Sequence, residues 1–221
     1  MIYLCYSLYI YRELLIIAYN FLGGQSNPLY QEKTMTIYIH GFGSSGRGGK
    51  AMLFRQYYQS ISEPFIAPSL SYVPELAIST LEELIGSYDS VNLIGSSLGG
   101  YYAICLAEKY QLKAALINPA VQSSKTLKQA VDLTGLALNY YDGSHFGWQE
   151  SHLEMLKSYA VENIVSKRYL LMLQKGDEVL DYREAVAKIP HATLILEEGG
   201  THTFEGIEQH FSTIRDFLTG N

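Results

Sequence analysis

The ten residues Val91-Asn92-Leu93-Ile94-Gly95-Ser96-Ser97-Leu98-Gly99-Gly100 constrain the fold of this chain more than any other part of it. They begin as an apolar run of strand length and end as the first turn of an amphipathic helix that reads on to Tyr110. A Gly-x-Ser-x-Gly pattern marks the junction. A serine at the apex of so sharp a strand-to-helix turn takes strained backbone angles, and strand and helix then approach closely. Gly95 and Gly99 remove the side chains that would collide there. The turn exposes the Ser97 hydroxyl and aims the backbone N–H of Leu98 at the place where an oxyanion would form. Ser96 lacks glycines at both flanking offsets and reads as a supporting, structural serine.

From Thr36 onward, short β-branched and apolar runs alternate with longer stretches of helical period, the pattern of βαβ units around a mostly parallel sheet. Strands are expected at residues 37–40, 65–67, 91–94, 114–117, 169–173 and 193–196, and helices at 51–60, 75–86, 98–110, 181–188 and 205–218. The expected architecture is therefore α/β: a mostly parallel six-stranded sheet with helices on both faces. A chain of 221 residues, 48% of them apolar, can bury one sizeable core of this kind. One connection, residues 122–168, is far longer than an ordinary loop plus helix. Apolar spacing at Leu127, Val131 and Leu133, and again at Leu153, Leu156 and Ala160, suggests two helices flanking the aromatic tract Tyr140, Tyr141, Phe146 and Trp148. This segment reads as a short helical lid over the carboxyl ends of the strands. The plainer alternative is a peripheral helical pair whose aromatics merely pack.

A serine hydroxyl is a weak nucleophile and needs a base, which in turn needs an orienting acid; in folds with this serine turn they follow in the order Ser, Asp or Glu, His. Asp177 follows the strand at 169–173, where a carboxylate at a strand's carboxyl end faces the site. Glu178 and Asp181 are its rivals. Glu178 points to the opposite side if the chain there is extended, and Asp181 resembles the N-cap of the next helix. His202 lies in the glycine-rich loop Glu198-Gly199-Gly200-Thr201-His202 ahead of the final helix and is the candidate base. A second oxyanion donor is expected after the first strand, in His40-Gly41-Phe42-Gly43, from the backbone N–H of Phe42. His40 itself reads as a brace for that turn rather than a base.

The same loop continues to Gly49-Lys50 and a helix, which raises the possibility of a phosphate-binding loop. The register fails, because that pattern needs a glycine at Ser44 and a hydroxyl at Ala51. A formal charge of -6 speaks against a nucleic-acid partner. The histidines form no ligand set, so neither a metal nor another cofactor is expected. The only cysteines, Cys5 and Cys105, suggest a reducing, cytoplasmic setting rather than a disulfide framework. Residues 1–34 begin with an apolar run, but Arg12 and Glu13 in its middle disfavour both a secretory signal and a membrane span. They read as an N-terminal extension and linker, with the domain occupying residues 35–221 and no stable membrane partner; an anchor or an ordered helix remains the alternative.

With these motifs in place, the chain resembles the YqiA-like esterases, small bacterial α/β-hydrolases, over about residues 35–218. The resembling blocks are His40-Gly41-Phe42 with Ser44, Ser45 and Lys50, then Gly95 through Ala103 and Asn118-Pro119-Ala120-Val121. Gly176-Asp177-Glu178-Val179-Leu180-Asp181-Tyr182-Arg183 and Glu198-Gly199-Gly200 with His202 and Phe204 complete them. The resemblance implies an α/β-hydrolase fold and cleavage of small acyl esters, with acyl-CoA thioesters as a further substrate class, by Ser97, His202 and Asp177. The alternatives are a thioesterase or acyltransferase using the same three residues, and a non-catalytic binding protein on the same fold.

Overall fold

A computed structural model of the protein describes residues 34–129 and 135–220. The expected N-terminal extension, apart from Thr34, lies outside the described residues, as do Val131 and Leu133 of the first lid helix. No helix of the described residues is long and apolar enough to cross a membrane.

The main sheet is formed by β1 (Met35–Ile39), β2 (Phe65–Ile66), β3 (Val91–Ser96), β4 (Ala114–Ile117), β7 (Tyr169–Gln174) and β8 (Thr193–Glu197). Their order is β2-β1-β3-β4-β7-β8, and every neighbouring pair is parallel. Parallel strands need crossovers, and these are supplied by α1 (Gly49–Ser60), α2 (Pro74–Gly86), α3 (Leu98–Tyr110), α6 (Tyr182–Lys188) and the elements between β4 and β7. The last helix, α7 (Phe211–Thr219), closes the chain.

Side chains alternate across the strands, so consecutive residues enter opposite cores. Ile37, Ile39, Leu93, Leu116 and Leu171 pack with Leu81 of α2 and Leu106 of α3. Tyr38, Ile94, Ile117 and Met172 face Phe54 of α1 and Phe211 and Ile214 of α7. Both faces of β1, β3, β4 and β7 are covered, which is why these strands read as nearly continuous apolar runs.

Two expectations are corrected. The insertion after β4 begins with only a short helix, α4 (Ser123–Thr126), and a 3₁₀ turn (Leu127–Gln129) before the undescribed residues. The aromatic tract then forms an antiparallel hairpin of β5 (Leu136–Leu138) and β6 (His145–Gly147), and the second expected helix follows as α5 (Glu150–Ser158). Side chains at the hairpin's tip hold its turn: Asn139 accepts from the Tyr141 N–H, Asp142 accepts from the Ser144 N–H, and Gly143 takes a φ of 74°. The final helix starts at Phe211 rather than residue 205, because Gly206 adopts a left-handed φ of 71° and a 3₁₀ turn (Ile207–His210) intervenes.

Candidate active site

In a parallel α/β sheet the carboxyl ends of the strands all open onto one edge, and the loops there carry the candidate residues. Ser97 sits between β3 and α3 with φ 55° and ψ -121°, an angle pair that side chains rarely adopt. Its N–H donates to the carbonyl of Ile117 at 3.1 Å, while its own carbonyl accepts from Gly100 and Ala120. The turn closes only because its flanks are glycine. A Cβ on Gly99 would stand 2.0 Å from the Ile39 carbonyl oxygen, and one on Gly95 would stand 2.4 Å from that of Gly99.

The structure brings Ser97, His202 and Asp177 together from the loops after β3, β8 and β7. The Ser97 Oγ lies 3.0 Å from His202 Nε2, and His202 Nδ1 lies 2.9 Å from Asp177 Oδ2. Asp177 is nearly enclosed, its side chain 3% exposed against 20% for His202. Burial opposes ionisation of Asp177, but the hydrogen bond from His202 and the N–H groups of Leu180 and Val179 outweigh it and hold the carboxyl below its usual range. The ring of His202 is thus held at Nδ1 by Asp177, with Nε2 turned toward the Ser97 hydroxyl.

Several groups position the His202 loop. The Gln174 carboxamide accepts from the N–H groups of Thr201 and Glu205 and donates to the Glu205 carbonyl and the Glu197 carboxylate. Asn118 donates to the carbonyls of Thr201 and His202. Glu178 departs from expectation: the chain turns at Asp177 rather than running on extended, and the Glu178 carboxylate accepts the backbone N–H of His202 at 3.0 Å. Asp181 caps α6, accepting from the Arg183 N–H.

Gly41 packs against the serine, a Cβ there standing 3.1 Å from the Ser97 Cβ, which carries Phe42 to the rim of the same cleft. Neither the Phe42 nor the Leu98 backbone N–H donates to a backbone carbonyl or a side chain among the described residues. His40 stands apart from the reacting groups: its Nε2 accepts the Leu70 N–H at 2.9 Å and its Nδ1 lies 2.8 Å from the Gly41 carbonyl. The cleft has a volume of about 1180 Å³ and is bordered by Ser97, His202, Lys50, Leu53, Phe204 and, from the hairpin, Tyr140. The Tyr140 N–H donates to the Gly43 carbonyl at 2.6 Å, tying the insertion to the Phe42 loop.

Lys50 was visible in the sequence as part of a failed phosphate-loop pattern and of the YqiA-like blocks, with no role assigned to it. Its Nζ donates to the Ser96 Oγ at 2.8 Å, directly beside the nucleophile candidate. Burial lowers its pKa to about 8, with the charge of Asp177 acting in the opposite direction. Among the described residues no group of histidines, cysteines or carboxylates could hold a metal ion.

Comparison with known proteins follows the same outline. The family described as "Uncharacterised protein family (UPF0227)" matches residues 35–219. A UPF0227 protein of Vibrio parahaemolyticus is 22% identical over 192 residues, covering 83% of this chain and 98% of its own. Among solved structures, a putative hydrolase from Agrobacterium vitis superposes with a TM-score of 0.70 at 16% identity, covering 86% of this chain and 90% of its own. Est1E from Butyrivibrio proteoclasticus, solved with ferulic acid bound, superposes with a TM-score of 0.69 at 15% identity, covering 87% and 91%. The fold is that of the α/β-hydrolases.

Proposed function

The chain belongs to the UPF0227 family, in keeping with the YqiA-like blocks of its sequence, and from that premise we propose that it is a serine hydrolase cleaving small carboxylic esters. The observation that carries this reading is the continuous hydrogen-bonded line from the Ser97 Oγ through His202 to Asp177, opening into a cleft beside two unpartnered N–H groups. That array has the parts that acyl transfer needs: nucleophile, base, orienting acid and oxyanion donors.

In this reaction the Ser97 oxygen attacks the acyl carbon while His202 Nε2 takes its proton. The carbonyl oxygen becomes an oxyanion held by the Phe42 and Leu98 N–H groups, and Asp177 steadies the imidazolium. Collapse breaks the bond to the alcohol oxygen, which leaves with the proton from His202, and the acyl group stays on Ser97. Water then attacks that ester, His202 takes its proton, and the carboxylic acid departs as the proton returns to Ser97. The substrate is a small molecule, and the aromatic and aliphatic border of the cleft suits an apolar acyl or aryl group. Ferulic acid in Est1E, a fold relative, is compatible with such a cleft.

The test pairs the wild-type protein with Ser97→Ala on a panel of acyl esters and thioesters graded by chain length, together with a fluorophosphonate probe. The wild type should take up one probe per chain and hydrolyse part of the panel. Ser97→Ala should stay folded, escape the probe and lose several orders of magnitude in rate. A Ser97→Ala rate within about tenfold of wild type would overturn the reading.

A further inference from the structure

We propose that Lys50 is a positioning residue for the reaction at Ser97: through Ser96 it braces the nucleophile turn, and its charge balances the negative charge that the reaction creates. This rests on the serine-hydrolase reading above. Lys50 lies in the first turn of α1 and borders the same cleft as Ser97 and His202. Its ammonium donates to the Ser96 Oγ at 2.8 Å, and the buried Tyr38 of β1 borders the cleft beside that serine. Three residues from β1, α1 and β3 thus meet under the turn. No ion pair within 4 Å joins Lys50 to a carboxylate of the described residues.

The charges of the reacting site explain why a cation belongs there. At the tetrahedral stage the site holds the Asp177 carboxylate, the oxyanion and the His202 imidazolium, a net charge of one negative in a partly desolvated cleft. Lys50 offsets the negative charge that the oxyanion adds, and charges interact strongly where water is scarce. Asp177 acts directly on the charge of Lys50, and Tyr38, Glu178, His202 and Glu208 line the same cleft. Two other carboxylates of the cleft have cations of their own: Asp181 is held by Arg183, and Glu184 stands 3.9 Å from Lys125.

A lysine serving only to fill space would leave the pH profile alone, whereas a functional charge would appear in it. The experiment measures kcat and KM from pH 6 to 10, with fluorophosphonate labelling, for wild type, Lys50→Met, Lys50→Arg and Ser96→Ala. Wild-type kcat should fall as pH rises through about 8, where Lys50 loses its proton. Lys50→Met should show kcat lower by about 10- to 100-fold at pH 7, KM within about threefold, and no fall of this kind. Lys50→Arg stays charged, so its profile should lack the fall while its activity exceeds that of Lys50→Met. Ser96→Ala keeps the charge and should keep the fall. A Lys50→Met profile superimposable on wild type, or a wild-type-like fall persisting in Lys50→Met or Lys50→Arg, overturns the proposal while leaving the Ser97 reading intact. Should Lys50→Met fail to fold, the Lys50→Arg profile decides alone. Failure of wild type to take up the probe at Ser97 overturns both.

Discussion

Glu178 holds the backbone of His202, accepting its N–H at 3.0 Å, and leaves the imidazole to its neighbour Asp177. Two adjacent carboxylates therefore grip one histidine at different atoms. Asp177→Asn should lower kcat by about three to four orders of magnitude, because an amide no longer fixes the ring tautomer or stabilises the imidazolium. Glu178→Gln keeps an acceptor for the N–H and should cost about tenfold or less. Asp181→Asn, at the α6 cap, should leave kcat near wild type and cost under about 1 kcal/mol of stability. Steady-state kinetics on one ester resolve the three, and a loss at Asp181 equal to that at Asp177 would move the acid there.

Gln174 is 3% exposed and makes four hydrogen bonds to the segment that carries His202 and to β8. Gln174→Ala would remove four hydrogen bonds to part-buried partners, at about 0.5 to 1.5 kcal/mol apiece. The expected result is a loss of several kcal/mol in urea unfolding and a fall in kcat larger than the change in KM, since the base is displaced while the cleft walls remain. A change in KM alone would show that this network shapes the cleft and not the base.

Gly99→Ala tests the tight serine turn. Its Cβ would be driven to 2.0 Å from the Ile39 carbonyl and 2.6 Å from that of His40, both main-chain atoms that cannot rotate aside. Destabilisation of about 3 kcal/mol or more is expected, with loss of probe labelling at Ser97. Gly86, at the end of α2, has open space around the same position, so Gly86→Ala should be neutral or stabilising by up to about 1 kcal/mol.

Lys50 also makes stability depend on pH in a defined direction. In the unfolded chain a lysine titrates near 10.4, whereas in the folded protein burial lowers this to about 8. Between those values the unfolded state binds more protons, so this group's contribution to stability rises with pH from about 8 and is complete above about 10.4. Below about 8 the buried ammonium is a constant cost. Lys50→Met should therefore melt no lower than wild type at pH 7, and its advantage should shrink as pH rises from 8 to 10. A Lys50→Met protein that is less stable at pH 7 and equally so at pH 10 would contradict the shift.

Much of this was legible in the chain. Strands buried on both faces announce themselves as apolar runs, and the paired glycines around Ser97 require a close strand-to-helix approach wherever they occur. The Ser97, Asp177, His202 order places three residues on three strand ends, which the structure brings within hydrogen-bonding distance. The β5–β6 hairpin was missed because strands of three residues are too short to show alternation, although Asp142-Gly143 at its turn is a local hairpin signal. The direction expected for Glu178 assumed an extended chain, whereas the Asp177 side chain accepts the N–H groups of Val179 and Leu180 and turns the chain there. The position of Lys50 depends on a contact with Ser96, 46 residues away, that only the folded sheet creates.

The parallel sheet delivers its chemistry from separate strand ends, so no contiguous piece of the chain contains a working site. Ser97 and His202 are 105 positions apart, and the strands that present them are separated in the sheet by β4 and β7. Their meeting therefore requires the central strands to have docked in order, with the β8 edge added last in space if not in time. Contacts of such long sequence separation carry a large closure entropy and form slowly. Recovery of probe labelling during refolding thus reports completion of the whole sheet, and a partly folded chain is chemically silent however much helix it has regained.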